Sequence, residues 1–203
     1  MKKIALILLF SSLLAIQASF APPVIVFYGD SLTAGYGLDP ESAFPALVEK
    51  ALLEKGKEVR VVNAGLSGET SAGGLSRIDW VLRNPADIFV LELGANDGLR
   101  GLPIEQTEKN LQSIIDKVKA RNPHVKIVVA GMMVPPNMGP DYSEKFRKVF
   151  PELARRNNAI LIPFLLQDVA GDEKLNQADG IHPNIKGHQL VAGNVVKVLE
   201  PLL

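Results

Sequence analysis

The sequence predicts a single α/β domain of three layers, with helices on both faces of a five-stranded parallel sheet. Three observations carry this reading. Five short, largely apolar runs recur along the chain, at residues 24–28, 59–63, 88–93, 125–130 and 159–162. Segments between and after them repeat their apolar residues at three- and four-residue spacing, the period of a helix that buries one face. The first and third runs are almost continuously apolar, as strands covered on both faces are, and regular strand–helix alternation implies parallel pairing.

The elements follow in order. Residues 24–28 form the first strand and lead into Gly29-Asp30-Ser31-Leu32 and a loop, Thr33-Ala34-Gly35-Tyr36-Gly37. Phe44, Leu47, Val48, Ala51 and Leu52 keep helical spacing until Gly56 ends the segment. After the second strand, Leu75, Ile78, Val81 and Leu82 repeat with helical period, and residues 88–93 are the most hydrophobic strand. Thr107, Leu111, Ile114, Ile115 and Val118 mark a long amphipathic helix. It stops near Asn122-Pro123, because the residue before a proline disfavours helix. Strand four follows, then a helix marked by Phe146, Val149, Leu153 and Ala154 with Pro151 near an expected bend, then strand five. Leu190, Val191, Asn194, Val195, Val198 and Leu199 define the last helix. Right-handed crossovers favour a flavodoxin-like strand order, 2-1-3-4-5. Residues 66–74, 98–103 and 134–141 read as loops, all on the sheet's carboxyl edge, where such sheets bind ligands.

Composition narrows the function. A chain of 203 residues, 47% apolar and 22% charged, suits one globular domain. Residues 1–21 read as a secretory signal: Lys2 and Lys3 precede an apolar run at 4–16, broken only by Ser11 and Ser12, and Ala18, Ser19 and Ala21 are small. Cleavage after Ala21 would put Pro22 first, so cleavage after Ala18 or Ser19 is favoured. The mature domain is then 22–203, and the destination periplasmic or secreted. The apolar run is too short for a comfortable spanning helix, so no stable membrane anchor is expected after cleavage; an uncleaved anchor is the alternative. Removing the leader leaves 20 basic against 22 acidic residues, which gives no electrostatic case for nucleic acid. Without cysteine there is neither a disulfide nor an N-terminal-cysteine lipid anchor.

The chemistry-bearing residues suit acyl transfer. A serine nucleophile needs a base for its proton, a group that orients the base, and donors for the oxyanion. Ser31, at a strand's end, is the candidate nucleophile; a helix N-cap is its structural alternative. His182 is the candidate base and Asp179 its orienter, since Asp179-Gly180-Ile181-His182 lets a carboxylate reach Nδ1 if the chain turns tightly at Gly180. Of the other histidines, His124 is expected in an exposed loop and His188 at the surface of the last helix. Asn96, after strand three, is the candidate side-chain donor to an oxyanion, and Gly68 the candidate backbone donor; Gly65 competes for that role. Asp30 and Asp97 are expected to brace loops by accepting backbone amides. There is no Gly-Lys-Ser/Thr phosphate loop, no Gly-x-Ser-x-Gly elbow and no histidine pair at metal-ligand spacing. Neither metal nor cofactor is expected.

Four motifs in order carry a resemblance. They are Gly29-Asp30-Ser31-Leu32-Thr33-Ala34-Gly35-Tyr36; Val62-Asn63-Ala64-Gly65-Leu66-Ser67-Gly68-Glu69-Thr70; Leu91-Glu92-Leu93-Gly94-Ala95-Asn96-Asp97-Gly98-Leu99-Arg100-Gly101; and Asp179-Gly180-Ile181-His182-Pro183-Asn184. From about Val24 to the C-terminus the chain resembles the GDSL, or SGNH, hydrolase family, nearest its bacterial periplasmic thioesterase I branch. The resemblance implies the SGNH fold and a serine esterase acting on esters, thioesters or lysophospholipids. It assigns Ser31, Asp179 and His182 to the triad and the Ser31 amide, Gly68 amide and Asn96 side chain to the oxyanion hole. It thereby selects Gly68 over Gly65.

An acyl groove is expected from Leu99, Leu102, Met133 and Pro135, together with Met132, Val134, Pro136 and Met138. In the related thioesterases the loop after the asparagine moves, and Gly98 and Gly101 would allow that here. Two other readings share the site. One is a carbohydrate O-acetyl esterase, for which Trp80, Tyr28, Tyr36 and Tyr142 are the available stacking residues. The other is a non-catalytic ligand-binding protein. A monomer is expected.

Overall fold

A computed structural model describes residues 21–84 and 86–203. The leader expected at 1–21 lies, but for Ala21, outside them. Five parallel strands, β1 (Val24–Gly29), β2 (Arg60–Gly65), β3 (Ile88–Glu92), β4 (Lys126–Ala130) and β5 (Ile160–Ile162), form one sheet in the order β2-β1-β3-β4-β5. This is the expected flavodoxin-like order. Every residue of β1 and β3 is buried, whereas β2, at an edge, is half-exposed. The register sets Gly29 opposite both Gly65 and Glu92. The carboxyl ends of the three strands are therefore level, and the segments leaving them share one edge.

Side chains alternate across the sheet, so neighbouring β1 residues meet different helical layers. Phe27 packs edge-on to Phe44, at 5.4 Å, in α2 (Phe44–Glu54). Tyr28 faces the other way and donates its hydroxyl to the Gly74 carbonyl, 2.5 Å away, in α3 (Ser71–Val81). α2 packs against α7 (Ile185–Leu199); α3 packs against α5 (Ile104–Arg121), which meets α6 (Pro140–Asn157). Two short helices, α1 (Ser31–Ala34) and α4 (Ala95–Leu99), sit directly after β1 and β3.

Four local expectations change. The segment 66–74 is a loop only to Thr70, whose hydroxyl accepts the Gly73 amide and starts α3 at Ser71. Its glycines suggested a loop, but Gly74 is a packing glycine: an added Cβ would collide with the Leu93 side chain. Gly98 and Leu99 belong to α4, and α6 begins at Pro140, where a missing N–H costs the helix nothing. α6 then runs on through Pro151.

The fourth concerns His188, expected at the surface and found only 1% exposed. Its ring stacks on Phe44 and its Nδ1 accepts the Phe44 amide at 3.1 Å, which supplies a partner at the N-terminus of α2. Burial holds its pKa down, from 6.5 to about 4. Between those values the unfolded chain takes up a proton that the folded chain refuses. Stability from this group is therefore full above about pH 6.5 and declines as pH falls, by up to about 3 kcal/mol. His188→Asn keeps an acceptor for Phe44 but cannot titrate. Its melting temperature is expected to fall less than the parent's between about pH 7 and about pH 4.5. An equal fall in both proteins would remove His188 as the source of acid lability.

Candidate active site

The nucleophile's position follows from how α1 starts. Asp30 caps it by accepting the Leu32 amide at 3.0 Å, which makes Ser31 its first residue, at the end of β1. The Ser31 Oγ lies 2.9 Å from His182 Nε2, and His182 Nδ1 lies 2.7 Å from Asp179 Oδ2. The other Asp179 oxygen accepts the amides of Ile181 and His182, at 2.9 and 3.0 Å. Gly180, at φ 69°, provides the tight turn that the spacing required. These hydrogen bonds from His182 and Ile181 hold the Asp179 carboxyl down, at about 2. An ionised Asp179 fixes the imidazole proton on Nδ1 and leaves Nε2 to accept from Ser31.

The segment carrying His182 is tied back to the nucleophile's loop. The Gln177 amide donates to the His182 carbonyl at 2.7 Å, and its side chain donates to the Tyr36 carbonyl at 2.7 Å and the Pro183 carbonyl at 3.1 Å. The Tyr36 ring lies 4.6 Å from the imidazole, centre to centre. Neither residue's role was foreseen: a lone glutamine five positions before a histidine carries no sequence signal.

The structure separates the two candidate glycines. Gly65 donates its amide to Asn63 Oδ1 at 3.0 Å, and a Cβ there would press into the backbone of α1. Gly68 is exposed, at φ 79°, and its amide has no acceptor among the described residues. The Ser31 amide, at a helix start, likewise has none among them. Asn96, in α4, donates from Nδ2 to Asp30 Oδ2 at 3.1 Å and to the Glu69 carbonyl at 3.0 Å. Ser31, Asn96 and the loop after β2 are thus joined through Asp30 and Glu69.

Two acids brace this edge, as expected of Asp30 and Asp97. Asp97 accepts the Ser71 amide and hydroxyl, at 2.7 and 2.6 Å, and the Thr107 hydroxyl at 3.2 Å, linking α3, α4 and α5. A third, Glu92, was not foreseen. It ends β3, is fully buried, and accepts the amides of Asp30 and Thr33 and the Thr33 hydroxyl on one oxygen, at 3.2, 3.3 and 2.7 Å. Its other oxygen has no partner among the described residues. Burial raises the Glu92 carboxyl well above its ordinary value and neighbouring Asp30 adds to this; burial likewise raises Asp30. The only sequence signal for Glu92 was an acid at the end of the most hydrophobic strand.

The expected acyl groove divides. Leu99 and Met133 are exposed, at 38% and 47%, Pro135 is exposed and Leu102 half-buried. Met132 and Val134 instead point into the core, as alternation at a strand's end requires. Gly98 is no open hinge: it is buried, and a Cβ would meet Val134 and the Phe146 ring. Gly101, at φ 62°, is the residue whose left-handed backbone calls for glycine. Tyr28 is fully buried, which withdraws it from any stacking role.

Residues 27–190 match the model of the GDSL-like Lipase/Acylhydrolase family. Esterase TesA of Pseudomonas aeruginosa is 41% identical over 194 residues, covering 95% of each chain. Thioesterase 1/protease 1/lysophospholipase L1 of Escherichia coli K12 is 38% identical over 196 residues, 96% of this chain and 91% of its own. The crystal structure of a psychrotrophic esterase, EstA from a Pseudoalteromonas species, inhibited by monoethylphosphonate, superposes with a TM-score of 0.83 at 34% identity. It covers 88% of this chain and 97% of that one.

Proposed function

The chain belongs to the GDSL-like lipase/acylhydrolase family and is a serine hydrolase of esters and thioesters, and from that premise we propose that it works through an acyl-enzyme on Ser31. The 2.9 Å contact between Ser31 Oγ and His182 Nε2, in line with Asp179, is the observation that carries the reading. His182 takes the hydroxyl proton as Ser31 attacks the carbonyl carbon. Asp179 keeps the working tautomer and offsets the imidazolium charge. The amides of Ser31 and Gly68 and the Asn96 side chain receive the oxyanion. His182 then protonates the leaving group and activates the water that releases the acid.

The substrate class we propose rests on apolar residues, exposed or half-buried, in the segments that follow Asn96 and β4. Leu99, Leu102, Met133 and Pro135 would take the acyl chain, with the thioether of Met133 adapting to its length. Lysophospholipids, thioesters and aryl esters fit this arrangement, and the two named relatives act as esterase, thioesterase and lysophospholipase by their names. The basic, apolar and small-residue succession at 1–21 supports export to the periplasm or medium, with 22–203 as the mature domain. No helix among the described residues is long and apolar enough to cross a membrane.

Hydrolysis of p-nitrophenyl esters from acetate to palmitate tests the reading, with Ser31→Ala as control. Serine-dependent turnover favouring medium or long chains is expected. Turnover confined to acetate would move the reading to an O-acetyl esterase, and turnover unchanged in Ser31→Ala would overturn it. Leu99→Ala and Met133→Ala are expected to lower kcat/KM for the long esters by about ten-fold each, the worth of one or two buried methylenes, and to spare acetate. Unchanged chain-length preference would remove these residues from the acyl site.

A further inference from the structure

We infer that the Glu69–Arg77 ion pair is the positioning device of the oxyanion hole, an inference that rests on Gly68 and Asn96 being oxyanion donors. Glu69 follows Gly68 in the chain, and its carbonyl accepts the Asn96 side chain at 3.0 Å. It therefore stands between both donors: one is the preceding amide, the other is bonded to it. What holds Glu69 holds the pair.

The Gly68 segment has little of its own to hold it. A Cβ on Gly68 would point into open space, so a side chain there would find nothing to pack against. The segment's restraints are the Leu66 amide to the Gly29 carbonyl at 2.9 Å, the Glu69 amide to the Leu66 carbonyl at 3.1 Å, and exposed Arg100 reaching the Gly68 carbonyl at 3.0 Å. The Glu69 side chain, in contrast, is only 3% exposed and points inward. There Arg77 Nε meets both its oxygens, at 2.6 and 2.9 Å, and Nη2 joins one of them. The same guanidinium donates to the Ala64 carbonyl at 2.8 Å and the Gly29 carbonyl at 3.4 Å, and lies 4.3 Å over the Tyr28 ring. One side chain thus grips the ends of β1 and β2 and the residue after Gly68.

The fork geometry matters as much as the charge. Two parallel bonds from a planar guanidinium set the direction of the carboxylate as well as its position, which a single ammonium cannot do. Fixing Glu69 fixes the carbonyl to which Asn96 is bonded and anchors the chain immediately after Gly68. An apolar pair of equal volume would fill the space without aiming those donors.

A double-mutant cycle tests the assignment. Arg77→Met, Arg77→Lys and Glu69→Gln are made in the parent and in Asn96→Ala, and kcat, KM and melting temperature are measured on p-nitrophenyl butyrate. In the parent, Arg77→Met is expected to lower kcat by about 10- to 100-fold, the scale of an ångström-sized misplacement, with KM within about three-fold. Arg77→Lys should recover only part of that loss. In Asn96→Ala the same changes should cost at least about three-fold less than in the parent, because only the Gly68 amide is left for the ion pair to position. If Arg77→Met does not fold, Arg77→Lys and Glu69→Gln complete the cycle. Equal losses in both backgrounds, or full recovery with lysine, would overturn the inference while leaving the oxyanion hole intact. An Asn96→Ala enzyme with parental kcat would instead refute the oxyanion assignment itself.

Discussion

Ser31→Ala and His182→Ala are each expected to lower kcat on a p-nitrophenyl ester by about five to six orders of magnitude, and the double variant no further. The reason is the unit they form. Ser31 Oγ is 2.9 Å from His182 Nε2, and neither group can act without the other: a hydroxyl is a poor nucleophile at neutral pH, and the imidazole has no other positioned proton to take. Residual catalysis of roughly 1,000- to 10,000-fold over water is expected from binding and the oxyanion donors, and these are untouched in all three variants. Single-turnover rates with purified variants check this. Losses that multiply in the double variant would mean that serine and histidine act separately.

Asp179→Asn is expected to cost about ten-thousand-fold in kcat with KM little changed. The structure shows why a nearly isosteric change should be so damaging. One Asp179 oxygen is committed to the amides of Ile181 and His182, a role that only a carbonyl oxygen can take over. The asparagine nitrogen must then face His182 Nδ1, where it donates. That tautomer places the imidazole proton on Nε2, pointing at Ser31, and the base is lost. Because hydrogen bonds from His182 and Ile181 hold the Asp179 carboxyl at about 2, it stays ionised throughout ordinary assay conditions. The decline of kcat/KM at acid pH is therefore not expected to come from Asp179. A fall of only ten-fold in Asp179→Asn would count against this division of labour.

Much of this was legible in the sequence because the signals are local. Unbroken apolar runs identify β1 and β3, and strand–helix alternation with right-handed crossovers leads to the observed strand order. Asp179 and His182 are three residues apart across a glycine, so their pairing needs only a turn. Gly65 and Gly68 could not be told apart on residues alone, since both permit close approach; the difference is that a Cβ on Gly65 would collide with α1 whereas one on Gly68 would meet open space. Glu69, Arg77 and Glu92 were missed for a related reason. Arg77 reaches Glu69 from α3, and Glu92 meets Asp30 and Thr33 at the start of α1; periodicity reports that a face is buried without reporting what a buried charge meets. His188 is different, because its signal was present. His188, Val191, Ala192, Val195 and Leu199 share one helical stripe, all buried, so the spacing itself placed the histidine inside. A bias towards reading histidine as a surface residue hid it.

Intact-mass measurement after treatment with an alkyl fluorophosphonate tests the central claim most directly, since such a reagent needs an activated serine and cannot be released by the water step. One adduct per chain is expected, on the peptide that contains Ser31, with none in Ser31→Ala. No adduct on the folded parent protein, or an adduct that persists in Ser31→Ala, would contradict acyl transfer through Ser31.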